Sequence, residues 1–238
     1  MRITFVISSL GGGGAERSLT TLANHWVEHG WSVMIITLTE AEQAPFYKLH
    51  PAVDRSGLDM MSESDGPLAA MISNLRRIWA LHQNIRSSNP QIVVSFMDMT
   101  NILTLLATRG LGLPVVVSER TNPARHVVQQ PWKMLRQWVY PWADRLTMQF
   151  SGAEKLFPDR MRDSIRVIPN AVIAPPPETG FQPLLPGRYN LAAIGRLETT
   201  KGFDLLLAAF AQLVPSFPEW GLVILGEGPQ RSELHAQI

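Results

Sequence analysis

The 238-residue sequence contains no cysteine, which excludes disulfides and thiolate chemistry and suits a reducing cytoplasm. Charge is also scarce. Only 17% of residues are charged, and 21 Lys+Arg against 20 Asp+Glu leave a formal net charge of +1, so no global field draws in nucleic acid or an acidic substrate. Any such attraction has to be local. Long apolar runs are missing too: no segment approaches the roughly 18 uninterrupted apolar residues of a membrane-spanning helix. The opening MRITFVISS is broken by Ser8 and Ser9 and lacks the basic cluster of a signal peptide, so it reads as a first β-strand. Membrane contact is therefore expected to be peripheral.

What is present is a 45% hydrophobic chain, long enough to bury one large core or two smaller ones. Strand-like and helix-like stretches alternate. ITFVISS is followed by Leu19, Leu22, Ala23 and Trp26 at helical spacing, ended by Gly30. WSVMIIT is a second apolar strand, and the polar stretch from Glu40 to Pro67 holds one short strand near Val53. A helix over Leu68 to Ser87 precedes QIVVSF. A helix near Asn101 to Thr108 precedes PVVVS, and one around Trp132 to Trp142 leads into RLTMQF and IRVIPN. Strands that are apolar throughout and separated by helices predict an α/β fold with a parallel sheet covered on both faces.

From Ala174 to Arg188 the pattern dissolves into APPPETGFQPLLPGR, which reads as a connector between domains. The expected division is an N-terminal domain over residues 1–173, a linker over 174–188 and a second α/β unit over 189–238. The second unit shows YNLAAIG, a helix from Phe203 to Leu213, WGLVILG and a helix opening near Pro229. Two strands and one complete helix leave faces without a second layer, so this domain is expected to be incomplete.

Two features carry chemistry. In SSLGGGGAERS four glycines stand between a strand and a helix, where backbone N–H groups approach whatever lies beyond the strand ends. Neither the dinucleotide fingerprint nor a Walker loop fits: Glu16 and Arg17 stand where the third glycine belongs, and Ala15-Glu16 follows instead of Lys and Ser/Thr. A loop that binds an oxyanion or a sugar remains, beside a plain turn that permits strand–helix packing. In IGRLETTKGFDLLLAAF, Arg196 and Lys201 stand between a strand and the positive end of a helix, a pattern that suits a diphosphate clamp and also describes two solvated surface cations.

GGGGAERSLTTLANHW, VIPNAV, GRLETTKGFDLLLAAF and LVILGEGPQRSEL, in this order, resemble the family 4 glycosyltransferases, which are retaining sugar transferases of the GT-B fold. SFMDMTNIL and VVVSERTNP are similar to the branch that builds exopolysaccharide and lipid-linked oligosaccharide. The resemblance implies two Rossmann-like domains, acceptor mostly on the first and nucleotide-sugar donor mostly on the second. It implies that Gly13 and Gly14 approach the donor diphosphate and that Arg196 and Lys201 neutralise it as the leaving group departs. Glu16, Asn101, Arg120 and Asn122 fall on the acceptor side, and Glu119 is the candidate to orient or deprotonate an acceptor hydroxyl, with pairing to Arg120 or Arg125 as its structural alternative. His126 is expected at a surface loop.

The family's pair of glutamates seven residues apart is matched in spacing by Glu219 and Glu227, but WGLVILG between them reads as a strand that would hold them about 25 Å apart. The donor's nucleoside wall is therefore expected to be missing and the chain to be C-terminally truncated. The expected partners are a nucleotide-sugar donor, a UDP-hexose or UDP-N-acetylhexosamine, and a lipid-linked glycan acceptor in bacterial surface polysaccharide synthesis; no cofactor or nucleic acid is expected, and no Asp-x-Asp pair marks a metal site. The alternative is an incomplete fragment or acceptor-binding subunit that needs another chain, and a sugar-nucleotide epimerase of similar build is disfavoured by the AER loop and SERTNP. From Arg120 to Arg166 nine Lys/Arg stand against four Asp/Glu, interleaved with Trp132, Trp138, Tyr140 and Trp142. This suits an anionic membrane on the cytoplasmic face, and equally a helix whose face with Trp138 and Trp142 packs on the sheet.

Overall fold

Short β-rich segments set between amphipathic helices give parallel strands, because each helix carries the chain back to the starting edge of the sheet. The computed structural model describes residues 1–40, 42–61, 66–120, 130–172, 184–185 and 187–238. The chain divides into two units, Met1–Val172 and Ile173–Ile238. Most of the Pro-rich stretch expected to be a linker lies outside the described residues.

In the first unit seven strands form one parallel sheet: β1 (Arg2–Ile7), β2 (Ser32–Thr37), β3 (Val53–Gly57), β4 (Ile92–Phe96), β5 (Val115–Ser118), β6 (Arg145–Met148) and β7 (Ile165–Val167). Their order is β3-β2-β1-β4-β5-β6-β7, so the winding reverses between β1 and β4. The helices are α1 (Gly14–Glu28), α2 (Pro67–Ser87), α3 (Asp98–Ala107) and α4 (Trp132–Val139), the last followed by a 3-10 turn over Tyr140–Trp142.

The two-residue period of the strands divides the core between the faces. Ile3, Phe5 and Ile7 of β1 point to the side of α1, whose Ala15, Leu19 and Ala23 recur every four residues and are buried there. Phe5 stacks on Trp26 at 5.2 Å and meets Phe96 at 5.8 Å between ring centroids. Val6 points the other way, into a core shared by Leu81 and Ile85 of α2, Ile102 and Leu103 of α3, and Val139.

The expected aromatic face of the Trp132–Trp142 helix is corrected by the structure. Regular helix stops at Val139, Trp138 is 76% exposed, and Trp142 is capped by Arg109 at 4.5 Å. Val139 and Tyr140 make the buried contacts instead.

The second unit pairs β8 (Tyr189–Ile194) with β9 (Trp220–Leu225) in parallel and adds α5 (Phe203–Leu213) and α6 (Arg231–His235). Its core cluster of buried residues is Leu197, Phe203 and Leu234. Tyr189, Ile194 and Leu205 are each more than 60% exposed, which leaves apolar surface on both sheet and helix uncovered. Glu219 and Glu227 stand at opposite ends of β9, as a strand between them requires.

Candidate functional site

In a parallel sheet all strand ends of one kind gather at one pole, and ligands bind where the winding reverses. Beyond the carboxyl end of β1 lies the glycine run, beyond β4 lies Met97, and beyond β5 lie Glu119 and Arg120. The chain leaving β7 brings Asn170 to the same place: its side-chain oxygen accepts hydrogen bonds from Ser18 at 3.1 Å and from Arg120. A groove of about 440 Å³ results, lined by Gly14, Arg17, Ser18, Arg120, Asn170 and neighbouring residues.

The two candidate glycines are in different situations. Gly13 has φ −120°, an extended conformation open to any residue, and a Cβ there would meet the Glu16 carboxylate at 2.1 Å. Glu16 thus folds back over Gly13 and places its negative charge at the positive end of α1, the position expected of a ligand phosphate. Gly14, the first residue of α1, has nothing within 4 Å of a built Cβ and opens on the groove. Neither neighbours nor a left-handed backbone require glycine at Gly14, so what its missing side chain provides is space in the groove.

Arg120 forms the opposite wall. Its guanidinium lies over the Phe96 ring at 4.9 Å, and its Nε, shielded from solvent, has no hydrogen-bond partner. Among the described residues no carboxylate stands within ion-pair distance of it. Burial lowers its pKa from the ordinary arginine value. A partly buried cation of this kind gains from an anion placed beside it.

Glu119 and Asn101 sit deeper. Glu119 is 3% exposed and accepts a hydrogen bond from the Tyr140 hydroxyl. Asn101 is wholly buried: its amide nitrogen donates to the Ser118 carbonyl and to the Tyr140 oxygen, each at 3.2 Å, while its oxygen accepts from Ser95 at 2.7 Å. The expected acceptor-side role of Asn101 is therefore corrected, because its hydrogen bonds are spent inside the fold. Burial first, and then the Glu119 carboxylate, push the Tyr140 hydroxyl well above its ordinary pKa. Tyr140 was not legible as part of this cluster, since it is buried behind α4 and far from Glu119 in sequence.

Met97 is a second residue that sequence reasoning missed. It has φ 74° and ψ 145°, a region almost confined to glycine, directly at the switch point after β4. Asn101 N–H donates to its carbonyl at 2.8 Å and its own N–H donates to Ser118 at 3.2 Å, which holds the strained backbone in place. Asn122, Arg125 and His126 lie outside the described residues.

Arg196 and Lys201 belong to the second unit, where both are exposed. Arg196 pairs with Glu198, and Lys201 closes a 3-10 turn before Gly202 and the N-terminus of α5. The loop carrying them is fixed from below. A Cβ on Gly226 would lie 1.9 Å from the Gly195 carbonyl oxygen, and one on Gly228 would lie 2.4 Å from that of Leu197. The glycines of LGEGP are thus needed for close backbone approach. Among the described residues, no group of three His, Asp or Glu is placed to hold a metal.

Comparison with known proteins agrees with this architecture. The glycosyl transferase 4-like domain matches residues 13–171, and the glycosyl transferases group 1 family matches residues 180–238. The chain is 31% identical over 240 residues to the GalNAc-alpha-(1->4)-GalNAc-alpha-(1->3)-diNAcBac-PP-undecaprenol alpha-1,4-N-acetyl-D-galactosaminyltransferase of Campylobacter jejuni, covering 100% of this chain and 65% of that protein. Among solved structures it is similar to Anabaena HepE in complex with UDP-glucose, with TM-score 0.66, 17% identity and coverage of 100% of this chain and 65% of that one. It is also similar to the lipopolysaccharide outer core galactosyltransferase WaaB, with TM-score 0.61, 17% identity and coverage of 100% and 64%. The chain thus spans a little under two thirds of the length of these proteins. With its parallel sheet, its second strand–helix unit and matches over nearly all of its length, the chain belongs to the glycosyl transferase 4-like family of GT-B glycosyltransferases.

Proposed function

We propose that the chain supplies the acceptor-side unit and part of the donor-side unit of a retaining glycosyltransferase. The enzyme moves a sugar from a UDP-hexose or UDP-N-acetylhexosamine to a lipid-linked glycan in bacterial surface polysaccharide synthesis, at the cytoplasmic face of the membrane. The observation that carries this reading is the groove in which Gly14 leaves room opposite Arg120, a partly buried cation with no carboxylate in ion-pair range among the described residues. A diphosphate-linked acceptor or the leaving diphosphate of a donor is the kind of anion that such a wall stabilises. The Campylobacter relative's name, with its undecaprenol diphosphate acceptor, and the UDP-glucose bound by HepE support the substrate classes.

On this reading Arg120 and Asn170 hold the anion, and Ser18 fixes the Asn170 amide. Glu119, held by Tyr140, stiffens the arm that carries Arg120; in its present position it acts on the acceptor through that arm. Arg196 and Lys201 receive the nucleoside diphosphate as it leaves.

A second reading is that the chain binds acceptor while another chain supplies the donor site. The small buried cluster of the second unit favours it. Calorimetry separates the two. A short-chain prenyl diphosphate glycan should bind saturably, and Arg120→Ala should weaken it by tenfold or more. Loss of acceptor binding by the unmutated protein would overturn both readings. UDP-sugar binding, with transfer followed by the anomeric configuration of the product, distinguishes the first reading from the second.

A further inference from the structure

The face of the first unit formed by α2, α3 and α4 is apolar where it should be wet. Along α2, Leu68, Met71, Ile72, Leu75 and Trp79 recur at three- and four-residue spacing and are 43–66% exposed, so they form an outward stripe. On α4, Met134 is 60% and Trp138 76% exposed. Between the helices runs an apolar groove of about 420 Å³, floored by Leu103 and Leu106 of α3 and flanked by Met71, Leu75, Trp132 and Leu135. That volume lies in the range of pockets that hold small apolar ligands.

Charge on the same helices decides the occupant. α2 offers Arg76 and Arg86, its Arg77 being held by the Met60 carbonyl and Asn74, α4 carries Lys133 and Arg136, and neither helix contains an Asp or Glu. A second copy docking through this face would set cations against cations. An anionic bilayer offers phosphates to the basic side chains and acyl chains to the apolar stripe, and exposed tryptophan suits the boundary between the two.

We infer that the α2–α4 face docks on an anionic membrane surface, with the stripe of α2 and Trp138 entering the acyl boundary and a lipid chain occupying the groove. No described helix is long and apolar enough to cross the bilayer, so the contact lies in its plane. This deepens the membrane placement in the proposed function by assigning the face that makes the contact, and its test is separate, because vesicle binding requires neither nucleotide nor glycan.

The test is flotation of the full chain with phosphatidylcholine vesicles, with and without phosphatidylglycerol. Anionic vesicles at low salt should retain the protein at least tenfold better than neutral ones, and raised salt should release most of it. Arg76→Gln and Lys133→Gln should each lower partition about fivefold. Trp79→Ser combined with Trp138→Ser should lower it tenfold or more without changing the melting temperature, since both side chains are exposed. Phe46→Ser, which removes an exposed aromatic from the loop against Gly12, should leave partition unchanged. Equal partition into neutral and anionic vesicles would overturn the inference. So would an effect of Phe46→Ser equal to that of the tryptophan pair, or a concentration-dependent dimer in solution that the tryptophan substitutions dissolve.

Discussion

The two units use the same parts in different proportions. In Met1–Val172 a parallel sheet is covered on both faces, and its central strands are buried nearly to the last side chain. In Ile173–Ile238 a parallel strand pair and two helices share a small buried cluster, and residues such as Ile194 and Leu205, 79% and 71% exposed, point into solvent. The difference also appears in what each unit asks of its glycines. At the ligand pole of the first unit, Gly14 faces open space. In the second, Gly226 and Gly228 are pressed against backbone. Where a core is thick, side-chain packing fixes the loops; where it is thin, close backbone contacts have to do so.

The strongest way to break this comparison is truncation at matched hydrophobic sites. Phe5→Ala should cost about 3–5 kcal/mol in a denaturant melt, because Trp26 and Phe96 cannot close over the space. Leu205→Ala should change stability by less than about 0.5 kcal/mol. A comparable cost at Leu205 would mean that the second unit is covered in solution.

Next comes the buried cluster of the first unit. Tyr140→Phe removes the donor to a buried carboxylate and should cost about 2–3 kcal/mol. The pH dependence follows from the raised pKa of the Tyr140 hydroxyl. The folded protein keeps this proton to higher pH than the unfolded chain does, so the contribution is complete below about pH 10, the ordinary tyrosine value, and is lost as pH climbs above it. Chemical melts at increasing alkaline pH should show a steeper loss of stability in the parent protein than in Tyr140→Phe.

Gly226→Ala should cost about 1–3 kcal/mol, because the Gly195 backbone has to move. Amide chemical shifts should change around Gly195 to Glu198 and stay fixed in the sheet of the first unit. Gly14→Ala is expected to act in the opposite direction on stability. Alanine is better than glycine inside a helix, so stability should rise by up to about 0.5–1 kcal/mol. Acceptor binding should fall, as read by calorimetry, because the new methyl projects into the groove. Unchanged binding would show that the open space at Gly14 is not used.

Much of this architecture was readable from side-chain periodicity. The strands at Ile3, Val33, Val93 and Val115, the helix at Leu19, and the strand between Glu219 and Glu227 all follow from local apolar pattern, which survives without knowledge of what packs on it. Candidate site residues were less legible. Gly13 and Gly14 look alike in a run of four, yet one is covered by Glu16 and the other borders the groove. Asn101 and Arg120 look equally polar, yet Asn101 is spent on Ser95, Ser118 and Tyr140, while Arg120 lacks a partner at Nε. Trp138 and Trp142 read as one helical face until Tyr140 begins a tighter turn.

The order of strands and helices, the glycine-rich pole, the basic segment and the family were set by sequence alone, because each depends on residue type and short-range spacing. Which polar groups stay available for a ligand was decided only by the tertiary structure. Hydrogen bonds from Tyr140 to Glu119 and from Arg120 to Asn170 join residues 21 and 50 positions apart. A buried donor or acceptor is satisfied by whatever the fold brings beside it, and no local pattern encodes that neighbour.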